Sequence, residues 1–180
     1  MAPEDTSPDA ELAQALERIA PGLLRYCFAK SLGDWHLAED ISQESLAALV
    51  RRWRGVGPPI NPEAFCFGIA RRRMARSLRR LRRLSPLADR IRDVKDLEPR
   101  PDEWLLREQE ALERARRIRA LPRRDREALL LVVAGGLDLK TAALTLGTTP
   151  GALKTRLYRA RQKLREMPTP TSFTPQRSSQ

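Results

Sequence analysis

The chain has 180 residues, a formal net charge of +11 and 41% hydrophobic residues, which suits one medium domain or two small ones with packed cores. Its longest apolar run, residues 128–134, is far too short to span a membrane, and its acidic amino terminus lacks the features of a secretory leader. We therefore expect a cytoplasmic protein without membrane insertion. One histidine and two cysteines cannot complete a zinc site by themselves, and no glycine-rich nucleotide loop or nucleophile motif occurs. The composition predicts no cofactor, no metal and no enzymatic activity.

Charge alternates in blocks along the chain. Residues 1–50 carry a net charge of −6, and residues 51–92 carry +11. Residues 93–113 are again acidic at −5, whereas residues 114–126 and 138–166 carry +6 and +5. Blocks of like charge repel each other unless a polyanion neutralises them. The order predicts two basic surfaces on two modules, with an acidic connector between them, and it favours nucleic acid as the ligand.

Helical periodicity dominates the first half of the sequence and predicts an all-α fold. Apolar side chains recur at steps of three and four over residues 10–32, where we expect Pro21 to start a new helix at its first turn. Asp34 is the expected N-cap of the next helix. Glycine and proline indicate a loop over residues 55–62, and an arginine-rich helix follows over residues 63–83.

The composition divides the chain into two small helical domains joined by a linker. Residues 1–83 form the first domain, and proline with scattered acids predicts a flexible linker over residues 84–104. Residues 105–166 form the second domain, in which the segment 124–134 is apolar on nearly every side and is expected to be a central core helix. Residues 167–180 are rich in Pro, Thr, Ser and Gln, which predicts a disordered tail.

The end of the second domain has the pattern of a helix-turn-helix. A helix over residues 138–146 is expected to end at Gly147, and Thr149 is a good N-cap for a second helix that starts at Pro150. The inner side of this second helix is apolar, with Leu153, Leu157, Ala160 and Leu164. Its outer side is polar and basic, with Gly151, Lys154, Thr155, Tyr158, Arg159 and Gln162. This pattern predicts a recognition helix that offers hydrogen-bond donors to base edges and phosphates, with a plain amphipathic surface helix as the alternative.

Four segments of the chain resemble motifs of bacterial sigma factors of the extracytoplasmic-function (ECF) type. They are residues 37–44 (LAEDISQE), 64–71 (AFCFGIAR), 121–129 (LPRRDREAL) and 151–161 (GALKTRLYRAR). Each motif is short, but all four stand in the family's order with a linker in between. The sequence departs from the family pattern at Phe65, which replaces the usual Trp, and at Arg72 and Arg76, where many members carry Asn and Asp. Thr141-Ala142-Ala143 likewise replaces the common Glu-Ile-Ala.

The resemblance implies that the first domain binds the clamp of core RNA polymerase and recognises and melts the promoter's minus-ten element. The implied polymerase contacts are Glu39, Asp40, Gln43 and Glu44. The implied DNA contacts are Arg71, Arg72, Arg76, Arg79 and Arg80. The loop over residues 54–62 is where the family captures an extruded base. Trp53 and Phe67 are candidates for stacking on bases, although a core position is favoured for both.

For the second domain, the resemblance implies binding to the polymerase flap and to the minus-thirty-five element as a duplex. The implied DNA contacts are Thr149, Gly151, Lys154, Thr155, Tyr158 and Arg159. Many members of the family are also held inactive by a cognate anti-sigma factor, which is a further expected partner.

Two other functions fit parts of the sequence. A helix-turn-helix regulator that acts without polymerase accounts for residues 121–166 but leaves the motif within residues 34–53 unexplained. A basic helical protein that binds RNA or a membrane surface would need an amphipathic helix rich in Trp and Phe, which the sequence lacks. We therefore favour the sigma factor.

Overall fold

The computed structural model describes residues 7–84 and 113–167, which are helical and contain no strand. The predicted all-α class is therefore confirmed. The predicted linker and most of the predicted tail lie outside these described residues.

Three long helices form the first module: α1 (Pro8–Ser31), α2 (Trp35–Val56) and α3 (Pro62–Leu84). Asp34 caps α2 as predicted, because its side chain accepts a hydrogen bond from the backbone N–H of Leu37 at 3.0 Å. The three helices pack against one another in pairs, so the first module is a three-helix bundle.

The prediction that Pro21 starts a new helix is wrong, because α1 continues through it without interruption. Proline has no N–H to donate to the preceding turn, a defect that costs about 3 kcal/mol in a helix interior. Leu12 and Ile19 before Pro21, and Leu23 after it, are all buried on the same face. Burying each of these side chains contributes about 1.5–3 kcal/mol, so one continuous apolar stripe offsets the missing hydrogen bond.

The second module contains four helical segments. They are α4, described over residues 113–120; α5 (Arg123–Leu129), which continues as a π-helical turn (Leu130–Ala134); α6 (Leu139–Leu146); and α7 (Pro150–Glu166). The predicted core helix lies where expected, but its last turn is wider than an α-helical turn.

The two modules pack directly against each other. The π turn contacts α1, and α6 contacts α3. Gly22 of α1 approaches the backbone of Gly135 so closely that a Cβ at Gly22 would collide with the Gly135 carbonyl oxygen. Arg25 donates a hydrogen bond from Nε to the carbonyl of Ala134 at 3.2 Å. The buried apolar side chains of both modules consequently form one continuous core cluster.

Cys27 and Cys66 are buried free thiols. Both lie in the core of the first module, and burial raises the pKa of each thiol to about 12. A thiol with so high a pKa stays protonated at neutral pH, and only the thiolate reacts rapidly with electrophiles.

We predict that neither cysteine reacts with iodoacetamide in the folded protein. At pH 8 roughly one ordinary cysteine in ten is a thiolate, whereas a pKa of about 12 leaves roughly one in ten thousand, so alkylation should slow about a thousandfold. Mass spectrometry of the native and guanidinium-unfolded protein at pH 8 measures this ratio. Comparable rates in the two states would show that the thiols are accessible.

Candidate nucleic-acid and polymerase interface

The helix-turn-helix is built by the residues that the sequence predicted. The Asp138 side chain caps α6 and hydrogen-bonds both the backbone and the hydroxyl of Thr141, and these bonds hold the Asp138 pKa below its usual value. Gly147 takes a left-handed conformation at φ 61°, which turns the chain. Thr149 then caps α7 by accepting from the N–H of Ala152 at 3.2 Å.

Helix α7 has the two faces expected of a recognition helix. Leu153, Leu157 and Ala160 are buried, and Leu164 is half-buried. The outer face is exposed and contains Gly151, Lys154, Thr155, Tyr158, Arg159 and Gln162. Thr155 donates its hydroxyl proton to the carbonyl of Gly151 at 3.1 Å, so it presents its oxygen to an incoming ligand as an acceptor. The hydroxyl oxygen of Thr149 already accepts a hydrogen bond as the N-cap of α7.

Arginines of α3 form a second basic surface. Arg72, Arg76, Arg79 and Arg80 are exposed, and Arg71 is half-buried. Arg79 donates from Nε to the carbonyl of Ala75 at 3.0 Å. The Nε atom of Arg71 is buried and makes no hydrogen bond within the part of the chain that the structure describes.

A cleft of about 980 Å³ separates the arginines of α3 from those of the second module. One wall contains Arg71, Arg72, Arg76 and Arg79. The other wall contains Arg119, Arg123, Arg124 and Arg156. Among the described residues that line the cleft, Glu127 is the one acid. The sequence predicted the two basic blocks, but it gave no sign that they face each other across one cleft, and Arg80 does not line it.

The predicted polymerase-binding residues lie on α2. Asp40, Gln43 and Glu44 are exposed, whereas Glu39 is half-buried. Gln43 donates from Nε2 to the Glu39 carboxylate at 3.3 Å, and Glu44 forms an ion pair with Arg73 of α3. Of these four residues, Asp40 and Gln43 are therefore the two that are exposed and form no described ion pair with α3.

The loop before α3 contains an exposed apolar residue, whereas the two aromatic candidates for stacking on bases lie partly or wholly in the core. Ile60 is fully exposed on the loop. Trp53 is half-buried against the core, and Phe67 is 1% exposed with its ring centroid 5.5 Å from that of Tyr26. Both aromatic residues thus occupy the core positions that the sequence favoured, and Phe67 offers no surface for stacking in this conformation.

Asn61, at the end of this loop, links the two modules. Its Oδ1 accepts from the N–H of Ala64 at 2.8 Å and so caps α3. Its Nδ2 donates to Thr141 Oγ1 in α6 at 3.2 Å. The loop is therefore tied to the first helix of the helix-turn-helix.

Sequence reasoning missed a buried polar cluster formed by Tyr26, Lys30 and Glu127. Lys30 Nζ lies 2.6 Å from Glu127 Oε2 and 2.7 Å from the Tyr26 hydroxyl, and Tyr26 donates to Glu127 Oε1. Burial raises the pKa of Tyr26 and lowers the pKa of Lys30, although the Glu127 carboxylate opposes the shift at Lys30. Tyr26 and Lys30 stand one turn apart in an apolar stripe, which signals a buried polar pair. Their partner lies 97 residues beyond Lys30, a pairing that periodicity cannot reveal.

Within residues 7–84 and 113–167, no helix has both the length and the hydropathy of a membrane span. In the same ranges, no three His, Cys, Asp or Glu side chains come together as a set of metal ligands.

Comparison with known sequences and structures identifies both modules. The family description Sigma-70 region 2 matches residues 15–84, and Sigma-70, region 4 matches residues 112–164. The ECF RNA polymerase sigma factor ShbA of Streptomyces griseus is 33% identical over 165 residues, which cover 84% of this chain and 84% of ShbA. The ECF sigma factor EcfG of Rhodopseudomonas palustris is 35% identical over 138 residues, which cover 76% of this chain and 75% of EcfG.

Solved structures share the fold. The sigma factor RpoE of Bartonella quintana, crystallised with the anti-sigma factor NepR, superposes with a TM-score of 0.61 at 24% identity over 87% of this chain and 95% of RpoE. CnrH, solved in complex with the cytosolic domain of CnrY, gives 0.61 at 23% identity over 88% and 87% of the two chains. The two matched regions, in the order region 2 and region 4, together with relatives that align over most of their length, show that this chain belongs to the ECF family of RNA polymerase sigma factors.

Proposed function

We propose that this sigma factor directs core RNA polymerase to promoters by binding the minus-thirty-five element with its second module and by melting the minus-ten element with its first. The observation that carries the proposal is the capped helix-turn-helix, whose exposed face holds Lys154 and Thr155 in the first two turns of α7 and Arg159 in the third. A recognition helix enters the major groove with its amino-terminal residues, so these side chains reach base edges and phosphates first.

Strand separation is proposed for α3 and the loop before it. Separated strands need a positive groove for the backbone, which the exposed Arg72 and Arg76 supply. The exposed Ile60, on the loop before α3, offers an apolar contact for an extruded base. Each module alone then needs only modest affinity, because binding one promoter through both modules multiplies their contributions.

Polymerase binding is proposed for α2. The exposed Asp40 and Gln43 suit a partner helix that carries Arg or Lys. We propose that the protein acts in the cytoplasm as a non-enzymatic subunit and that a cognate anti-sigma factor controls it, as NepR binds RpoE of Bartonella quintana. A helix-turn-helix regulator that acts without polymerase would have no use for region 2, and co-purification with core polymerase separates the two functions.

We predict that replacing Asp40 and Gln43 together with Ala weakens binding to core polymerase at least about tenfold, since charged pairs buried in an interface contribute more than exposed ones. Titration with labelled core enzyme measures the affinity, and circular dichroism monitors helicity. Glu11→Ala combined with Gln14→Ala, at exposed positions of α1, removes one carboxylate and one amide and is the matched control. Equal affinity of all three proteins would refute the assignment of α2.

Replacing Arg72 and Arg76 with Ala should lower open-complex formation more than closed-complex binding, because these arginines contact separated strands. Permanganate footprinting on a cognate promoter detects the unpaired thymines, and gel shift detects total binding. Arg51→Ala removes one exposed cation from α2 as a control. An equal loss at both stages would indicate that α3 binds duplex DNA without a role in melting.

Lys154→Ala and Arg159→Ala should each reduce transcription from the cognate promoter while core affinity stays unchanged. A direct base contact contributes about 1–3 kcal/mol of discrimination, so loss of such a contact relaxes preference at one upstream position, whereas loss of a phosphate contact weakens all sequences evenly. In vitro transcription across a library of upstream elements distinguishes these effects. Lys163→Ala, at an exposed position of the last turn, is the control. Full activity and unaltered preference in both variants would remove α7 from the DNA interface.

A further inference from the structure

The cleft between α3 and the second module is only partly used by the proposed DNA interface. Arg72 and Arg76 on its first wall belong to that interface, whereas Arg124 and Arg156 on its other wall do not. We propose that this cleft binds a small polyphosphate, which is a compact anion with a chain of three or more phosphates. The ligand is either a nucleotide or an inorganic chain, and the phosphates that both share are what the cleft recognises.

The lining of the cleft carries far more positive charge than its own acid can neutralise. Nine arginines and Lys30 line about 980 Å³, and Glu127 is the one acid among the described lining residues. That carboxylate is already paired with Lys30, so it does not neutralise the arginines. Like charges at this density repel one another, and a multivalent anion in the cleft relieves the repulsion. A chain of phosphates brings several negative charges into a small volume, which a carboxylate or a chloride ion does not.

Arginines on both walls also have hydrogen-bond donors to spare. Within residues 7–84 and 113–167, Arg72, Arg76, Arg124 and Arg156 form no ion pair. Each guanidinium offers five N–H donors in a planar fork that matches the geometry of a phosphate group, so the two can form paired hydrogen bonds. Four such forks on two facing walls can bind several phosphate groups at once.

Arg71 provides a second, independent observation. It is half-buried in the lining of the cleft, and its Nε is buried and makes no hydrogen bond to any described residue. Buried donors without an acceptor are unfavourable and rare in native proteins, and they indicate a group that the protein chain itself does not supply. A phosphate oxygen would satisfy this donor and neutralise the charge of the same guanidinium.

The size of the cleft selects a small ligand. Sites for small molecules usually have volumes of about 300–1,000 Å³, and the cleft lies at the upper end of that range. Leu78, Ile118 and Leu130 add apolar surface to its lining. A nucleotide base finds apolar contacts there, and guanidinium planes stack on aromatic rings, so a nucleotide gains contacts that an inorganic chain lacks.

Occupancy of the cleft would affect DNA binding, and this step alone rests on the proposed function. Arg72 and Arg76 are proposed to hold separated strands, and the same guanidinium groups line the polyphosphate site. The two anions therefore compete, so a bound polyphosphate lowers the affinity of the protein for DNA. Binding of the polyphosphate itself does not depend on that function.

Isothermal titration calorimetry of the full chain tests the site. The probes are ATP, inorganic tripolyphosphate and AMP, without divalent cations and at about 0.15 M salt, where exposed charges are screened beyond about 8 Å. We expect ATP and tripolyphosphate to bind at least about tenfold more tightly than AMP, because AMP offers a single phosphate to the arginines. Equal affinities of ATP and tripolyphosphate would assign recognition to the phosphate chain alone, and tighter binding of ATP would add the nucleoside. Both results support the site.

Two double variants remove arginines from opposite walls. Arg124→Ala with Arg156→Ala acts on the second module, and Arg72→Ala with Arg76→Ala acts on α3. Each should weaken tripolyphosphate binding at least about tenfold, since charge-assisted hydrogen bonds to phosphate are lost. Circular dichroism monitors helicity, and if the variant of one wall fails to fold, the variant of the other wall still decides.

The matched control removes two positive charges elsewhere. Arg161→Ala with Arg165→Ala lowers the net charge by the same amount at exposed positions of α7 outside the lining of the cleft, so it should bind tripolyphosphate as the wild type does. Arg71→Lys keeps the positive charge but lacks the planar fork. It should weaken binding severalfold, whereas non-specific attraction to a basic surface would be unchanged.

Three results would each overturn the site. They are equal affinities for AMP and tripolyphosphate, an equal loss of affinity in the cleft variants and the charge-matched control, and the absence of saturable binding by the wild-type protein. A protein that binds tripolyphosphate in the cleft but does not bind core polymerase would instead refute the proposed function and leave the polyphosphate site standing.

Discussion

The buried pair of Lys30 and Glu127 sets the relation between the two modules. Each charge loses several kcal/mol of hydration when it is buried, and Glu127 of the partner module together with the Tyr26 hydroxyl compensates for that loss at Lys30. When the modules separate, water solvates both groups again, so the open form exposes charged side chains here in addition to apolar surface. An interface that combines buried charge with apolar surface fixes one orientation of the two modules. Water can solvate its charged groups again when the modules part, so the contact is reversible, as expected of interfaces between domains within one chain.

Electrostatics act against this closure. Arginines of both modules face each other across the cleft, and among the described lining residues Glu127 alone is acidic. Their repulsion favours separation, and it is strongest at low ionic strength because salt screens it. The apolar cluster shared by the modules and the Glu127 carboxylate must outweigh that repulsion in the closed form. On the proposed function, promoter DNA neutralises part of this arginine charge, so the charge that opposes closure also favours DNA binding.

Local signals made the second module largely predictable from the sequence. Asp138, Gly147 and Thr149 act on neighbouring backbone atoms, so the start and end of each helix in the helix-turn-helix could be deduced. The path of α1 through Pro21 could not, since burial of a long apolar stripe outweighed the local preference of proline. The contact of Lys30 with Glu127 depends on residues 97 positions apart, and no periodicity within one helix encodes that distance.

The unequal exposure of the functional surfaces implies an order of events. The faces of α2 and α7 for which we propose polymerase and DNA binding are exposed while the modules are in contact, whereas Asn61 and Phe67 of the first module contact the second. A free protein in this form leaves the proposed polymerase-binding face of α2 open to a partner. On the proposed function, α3 and the loop before it act in strand separation, so the hydrogen bond from Asn61 to Thr141 must break before that loop can rearrange.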